Sequence, residues 1–233
     1  MPSEPTADPV VIVAAHNEAR RIGATLEALS EAFPGAQLVV ADDASSDGTG
    51  ELALSRGAQV VSRGKPHGKG ANMTAAAESV LHLGDAPNPP IFLLCDADLG
   101  WSARELPGLV EAVAEGGCDL AVGAFRDRVG GGFGLAVSFA RWAIERRCGF
   151  RAEAPISGQR AMTAQALRAV LPFASGYGME TGMTIDAVRG GFRLCEIELD
   201  LEHRATGRSV GGFLHRARQL RDFARAYAAR RVA

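Results

Sequence analysis

Two acidic clusters close two apolar runs in this chain: Asp42 and Asp43 within VVADDASSDGT at 39–49, and Asp96 and Asp98 within LLCDADLG at 93–100. Carboxylates are hard oxygen donors, so the Asp96-Ala97-Asp98 spacing suits a divalent cation such as Mg²⁺ or Mn²⁺. Asp42 and Asp43 can accept hydrogen bonds from a nucleobase or ribose. Lys69, flanked by Gly68 and Gly70, can meet phosphate where the glycines let the backbone approach closely. A solvated loop lysine is the bland alternative, and position between the two acidic runs is what favours function. Together these residue types suit a metal-dependent nucleotide-sugar site.

Such a site needs a scaffold that brings both runs to one edge. A short apolar run reads as a buried parallel strand, and ligands of open α/β sheets gather at the strands' carboxyl ends. Apolar runs at 9–15, 37–41, 58–62, 91–95 and 119–125 alternate with helical periodicity at 19–32, 48–56, 71–83 and 103–115. This βαβ punctuation predicts a single α/β domain with a Rossmann-like, doubly wound, mostly parallel sheet carrying helices on both faces. Residues 1–8 read as a loose tail and 9–125 as the nucleotide-sugar-binding half. Residues 126–233 read as the acceptor half, with a Gly130-Gly131-Gly132 hinge and helices at 134–147, 163–170 and 180–189. A looser Ser157-Gly158-Gln159-Arg160 segment lies between the first two, a strand follows at 192–199, and a basic helix at 210–230 closes the chain.

Composition narrows the class. At 233 residues and 47% hydrophobic content the chain can bury one sizeable core, and a net charge of −2 gives no nucleic-acid signature. No charged leader precedes an apolar segment, and no run approaches the roughly 18 apolar residues of a membrane span. Cys95, Cys118, Cys148 and Cys195 are widely spaced without a CxxC pair, which predicts buried thiols and a reducing cytoplasm. AAHNEARR after the first strand lacks the glycine-rich loop of nucleotidyltransferases and dehydrogenases.

The ordered set AAHNEA, VVADDASSDGT, GKGANM, LLCDADL, SGQRAM, GYGMETG and EHRATGRS covers nearly the whole chain. It resembles the family 2 type of glycosyltransferase with the GT-A fold. DxD alone is a weak signal; the order of the set is what makes the resemblance specific. Within the family, SGQRAM and RATGRS are similar to polyprenyl-phosphate sugar transferases, whereas GYGMETGMTID and His203 are similar to glucosyl-3-phosphoglycerate synthase. Ala15-His16 departs from the proline that usually precedes the Asn-Glu pair, while Glu18 is retained.

The resemblance implies a UDP- or GDP-sugar donor against Glu18, Asp42 and Asp43, and a metal held by Asp96, Asp98 and His203. The acceptor it implies is a lipid phosphate or a small phosphorylated acid. Arg160, Arg204 and Arg208 can grip phosphate bidentately, with Ser157 and Gly158 beside them. Glu180 is an acid-base candidate or an acceptor-positioning carboxylate, and equally a helix N-terminal glutamate stabilised by the dipole. On the last helix Phe213, Ala217, Leu220, Ala224 and Tyr227 form a stripe among arginines. It either packs on its own domain or docks on an anionic membrane, each basic residue there contributing about 1 kcal/mol. A homodimer and a non-catalytic nucleotide-sugar binder are the remaining alternatives, although both acidic clusters, Lys69, Glu180 and His203 speak against the binder.

Overall fold

A computed structural model of the chain describes residues 8–125, 134–201, 221–222 and 224–230. Seven strands form one sheet: β1 Val10–Ala15, β2 Gln37–Asp42, β3 Gln59–Ser62, β4 Phe92–Asp96, β5 Leu120–Phe125, β6 Arg160–Met162 and β7 Leu194–Leu199, in the order β3-β2-β1-β4-β6-β5-β7. Every pairing is parallel except those of β6, which runs antiparallel between β4 and β5. Among the described residues the α-helices that position the sheet and site are α1 Ile22–Ala32, α2 Thr49–Ser55, α3 Lys69–Val80, α4 Pro107–Ala114, α5 Gly134–Cys148, α6 Ala164–Val170 and α7 Met179–Arg189, and residues 224–229 are also helical.

The period of two along each strand sorts the core onto two faces. In β1, Val11 and Val13 pack with Ile22, Leu26 and Leu29 of α1, Ala53 of α2 and Leu109 of α4. Val10 and Ile12 face the opposite layer, with Met73 and Ala76 of α3, Leu167 of α6 and Met183 of α7. Both faces are therefore covered, which is why β1 and β4 read as continuous apolar runs rather than alternating ones. Leu29, Leu93 and Leu94 are fully buried, and truncating any of them to alanine costs about 2–5 kcal/mol.

Several expectations are corrected in detail. The loose segment before α6 contains β6, whose three residues fill the gap between β4 and β5. The helix placed at 103–115 splits into a 3₁₀ segment Gly100–Glu105 and α4, with Pro107 at the first turn of α4. Helix α1 begins at Ile22 rather than 19, because the Asp47 carboxylate accepts the Ala19 amide at 3.1 Å and holds residues 19–21 in a turn.

The cysteine expectation is also corrected. Cys118 and Cys195 form a disulfide across 77 residues, with Cα atoms 5.9 Å apart. Sheet register brings them together: β5 pairs with β7, Ala121 opposite Cys195, a proximity that sequence spacing conceals. Cysteine usage therefore gives no argument for a reducing compartment. Cys95 and Cys148 are free, and burial pushes the Cys95 thiol well above the usual range. The Gly130-Gly131-Gly132 hinge lies outside the described residues.

Candidate functional site

At the carboxyl edge of β1 and β2 the two loops are laced together. Asp42, 6% exposed, accepts the Ser45 amide at 3.2 Å and the Ser45 hydroxyl, and Ser45 Oγ in turn accepts the Asn17 amide at 2.8 Å. Asn17 returns the link by accepting the Ser46 amide at 2.9 Å, from a left-handed backbone with φ of 55°. His16, standing where a proline was expected, donates from Nδ1 to the Asp43 carbonyl at 2.9 Å. The Glu18 amide is held by Thr49 Oγ1 at 2.9 Å. Asp42 thus ties the loop after β2 to the loop after β1 through Ser45.

Asp43 reaches the other way. Its carboxylate accepts the backbone amides of His67 at 2.7 Å and Gly68 at 2.9 Å, anchoring the loop that ends at Lys69, the first residue of α3. Gly70 sits so close to the Ala174 carbonyl that a Cβ there would collide with it. Only glycine lets α3 start against the loop preceding α7.

The Asp96-Ala97-Asp98 turn is positioned by α1. Thr25, fully buried, donates to the Ala97 carbonyl at 2.7 Å and accepts the Gly100 amide at 2.9 Å, while Arg21 donates to the Asp98 carbonyl at 3.2 Å. Asp96 and Asp98 remain partly exposed at the sheet edge.

Lys69 connects this turn to α7. Its Nζ lies 2.6 Å from Asp96 Oδ1 and 2.8 Å from Glu180 Oε1. Burial alone would lower the ammonium's pKa; the Asp96 and Glu180 carboxylates outweigh it and hold the group above the usual lysine range. Glu180, 5% exposed in the first turn of α7, is engaged by this cation. Gln159 donates to the second Asp96 oxygen at 3.1 Å, and Ser157 Oγ supports Gln159 at 3.2 Å. Between them, a Cβ on Gly158 would stand 2.5 Å from Asp96 Oδ2 and 2.8 Å from Lys69 Nζ.

Arg160 departs from the expectation of a phosphate ligand facing the crevice. Its side chain is fully buried, donating to the Ser157 carbonyl and to Thr184 Oγ1, each at 2.9 Å. Burial pushes its pKa down to about 10. In this geometry the guanidinium braces the 157–159 loop against α7.

The structure therefore brings Asp42, Asp43, Lys69, Asp96, Asp98, Ser157, Gly158 and Glu180 to one edge, with Glu18 on the adjoining loop. His203, Arg204 and Arg208 lie outside the described residues. Sequence reasoning missed Thr25, Arg21, Ser45 and Gln159. Ser45 and Gln159 carried a signal, inside the VVADDASSDGT and SGQRAM motifs, whereas Thr25 stands in no motif and Arg21 lies just beyond AAHNEA.

Against known families, residues 10–166 match the Glycosyl transferase family 2 model. The chain belongs to glycosyl transferase family 2. This glycosyltransferase is 30% identical to the undecaprenyl-phosphate mannosyltransferase of Micrococcus luteus, over 86% of each chain. It is 28% identical to the polyprenol monophosphomannose synthase of Mycolicibacterium smegmatis, over 87% of this chain and 80% of that one. Glucosyl-3-phosphoglycerate synthase from Mycobacterium tuberculosis, solved with phosphoglyceric acid, superposes with a TM-score of 0.74 at 26% identity, covering 96% of this chain and 80% of that one. The same synthase has also been solved with Mn²⁺ and uridine diphosphate.

The donor set of this family 2 member fits a divalent ion. Asp96 and Asp98 offer hard oxygens on one short turn, and a small hard cation is commonly held by one or two carboxylates, the remaining positions going to substrate phosphates and water. Among the described residues no group of three His, Cys, Asp or Glu side chains gathers as a ligand set.

Away from this edge, the described end of the chain packs on the enzyme's own helices. Tyr227 lies 5.0 Å from Trp142 and 6.5 Å from Phe139 of α5, ring centroid to centroid, with the Arg147 guanidinium 3.6 Å over its ring. Arg230 pairs with Asp186 of α7. Trp142 stays 49% exposed beside exposed Arg146. Among the described residues no helix is long and apolar enough to cross a membrane.

Proposed function

We propose that this glycosyltransferase moves a hexose from a UDP- or GDP-sugar to a polyprenyl phosphate, with Mg²⁺ or Mn²⁺ as cofactor. The observation that carries the reading is the junction of Asp96 with Lys69 and Glu180 at the edge where Asp42 ends β2 and Asp43 follows it. The donor half is 9–125 and the acceptor half 126–233. Base and ribose lie against Glu18 and Asp43, and the diphosphate reaches toward Lys69 and the Asp96–Asp98 turn. Bound there, the divalent ion supplies charge compensation for the leaving diphosphate. Asp98 and Asp96 hold it, with His203 as a third ligand.

Lys69 contributes the second positive charge, and Glu180 fixes its direction. A phosphate acceptor is already ionised and needs no general base, which suits a Glu180 that is engaged by an ammonium rather than free to take a proton. Arg204 and Arg208 bind the acceptor phosphate. The identity to polyprenyl-phosphate mannosyltransferases over most of both chains supports a lipid acceptor. The exposed Trp142 with Arg146 and Arg225 supports docking at an anionic membrane, since indole rings settle at such interfaces.

A second reading, transfer to a small phosphorylated acid, is favoured by the structural likeness to glucosyl-3-phosphoglycerate synthase. Offering UDP- and GDP-hexoses with a polyprenyl phosphate and 3-phosphoglycerate in parallel separates the two. Lipid-linked product is expected; product on 3-phosphoglycerate alone replaces the lipid reading, and NMR of the anomeric linkage assigns the stereochemistry.

A further inference from the structure

Both oxygens of the Asp96 carboxylate are engaged inside the protein. Oδ1 receives the Lys69 ammonium at 2.6 Å, and Oδ2 receives the Gln159 amide at 3.1 Å. Glu180 holds the same ammonium at 2.8 Å from the other side, so Lys69 is not a chance surface contact but a cation shared by two carboxylates. Its side chain is 29% exposed, and the space around it is tight: a Cβ on Gly158 would come within 2.8 Å of the ammonium and 2.5 Å of Asp96 Oδ2.

A divalent ion bonded to Asp96 Oδ1, the oxygen that receives the ammonium at 2.6 Å, at the roughly 2.1 Å typical of Mg²⁺ would sit no more than about 5 Å from that ammonium. Like charges at this range in a partly buried site repel strongly, and the two carboxylates that contact the ammonium, Asp96 and Glu180, are already engaged by it. We propose that Lys69 is a tethered counter-cation that competes with the divalent ion for Asp96, so that the ion binds tightly only once a diphosphate draws the ammonium away. This rests on the metal-dependent reading given above and adds an order of events to it.

The device has a chemical consequence. A divalent ion bound without donor would leave a site open to unproductive anions; a lysine that yields only to diphosphate couples the ion to the substrate it must serve. Coupling of this kind is reciprocal, so whatever diphosphate adds to ion affinity the ion adds to diphosphate affinity.

The test is Mn²⁺ binding measured by electron paramagnetic resonance in the absence of any nucleotide, on the full chain and on Lys69→Gln and Lys69→Met, with circular dichroism to establish folding. Glutamine keeps hydrogen-bonding capacity toward both carboxylates and methionine keeps length, so either folded variant suffices. Removing the charge is expected to tighten nucleotide-free Mn²⁺ binding by about tenfold. Unchanged or weaker binding in a folded variant overturns the competition. If the wild type binds no Mn²⁺ even with UDP or GDP present, the metal-dependent reading itself fails, and that result is distinct from a failure of Lys69 as competitor.

Discussion

The Asp43 carboxylate accepts the Gly68 backbone amide at 2.9 Å, tying the end of β2 to the residue immediately before Lys69. An aspartate expected to grip a base therefore also sets where the lysine of the site begins. Asp43→Asn leaves a single acceptor oxygen for the two amides of His67 and Gly68. The variant is expected to raise the donor KM about tenfold, equivalent to roughly 1.4 kcal/mol, and steady-state kinetics checks it. An unchanged KM and kcat would show that the loop holds its shape without this anchor.

Gly158 predicts a functional defect in a folded protein. The atoms that a Cβ would meet, Asp96 Oδ2 and Lys69 Nζ, are the ends of flexible side chains, so the backbone tolerates Gly158→Ala while the site rearranges. Transfer is expected to fall by about 100-fold, the scale of a misplacement near 1 Å, with little change in melting temperature. Kinetics and calorimetry on the same preparation test this together.

Asp119 at the start of β5 gives a pH dependence with a definite sign. Arg193 donates to it from Nε at 3.2 Å, from Nη2 at 3.1 Å and from its backbone amide at 2.8 Å, and these bonds hold the carboxyl below the usual aspartate value of 3.8. A depressed folded-state pKa contributes stability that is fully present above about 3.8 and lost as pH falls through the folded value. Asp119→Asn should therefore melt below the wild type at pH 7, and the gap should close below pH 3.8. A gap that persists into strong acid would assign the effect to shape rather than charge.

Membrane docking makes a salt-dependent prediction. Exposed Trp142, Arg146 and Arg225 should bind anionic liposomes at low salt and release them at high salt, since the Debye length is about 8 Å at physiological ionic strength. Charge reversal at Arg146 and Arg225 should abolish sedimentation with liposomes without altering the circular dichroism spectrum. Salt-insensitive or absent binding contradicts the electrostatic docking.

How much of this was readable beforehand follows from the range of the interactions. The inner parallel strands β1 and β4 announced themselves because each is buried on both faces, as Val10–Val13 and Phe92–Cys95 show, whereas the edge strands β3 and β7 are only partly buried. The acidic edge was readable for the same reason: Asp42 and Asp96 stand at the ends of apolar runs. Antiparallel β6, only Arg160–Met162, was too short to carry a period. Arg160 misled because an arginine in a glycine-containing motif reads as a phosphate ligand, whereas its role depends on Thr184, 24 residues away. Thr25 escaped notice because its bond to Ala97 spans 72 residues and leaves no local signature, and Gln159, although inside SGQRAM, has its partner Asp96 63 residues away. Cys118 and Cys195 were hidden in the same way, by strand register.

The most direct test of the account is nucleoside diphosphate release coupled to lipid-linked product, measured for the wild type with Mn²⁺, the wild type with EDTA, and Asp98→Ala with Mn²⁺. Asp98 is partly exposed on a turn held by Thr25 and Arg21 through backbone atoms, so its removal should spare the fold. The account predicts turnover in the first case and recovery of the EDTA sample on adding Mn²⁺. Activity below about 1% is predicted in the variant, in line with losing several kcal/mol of charge stabilisation, at an unchanged melting temperature. Full activity in Asp98→Ala with metal still required, or donor that binds without ever being turned over, would contradict it.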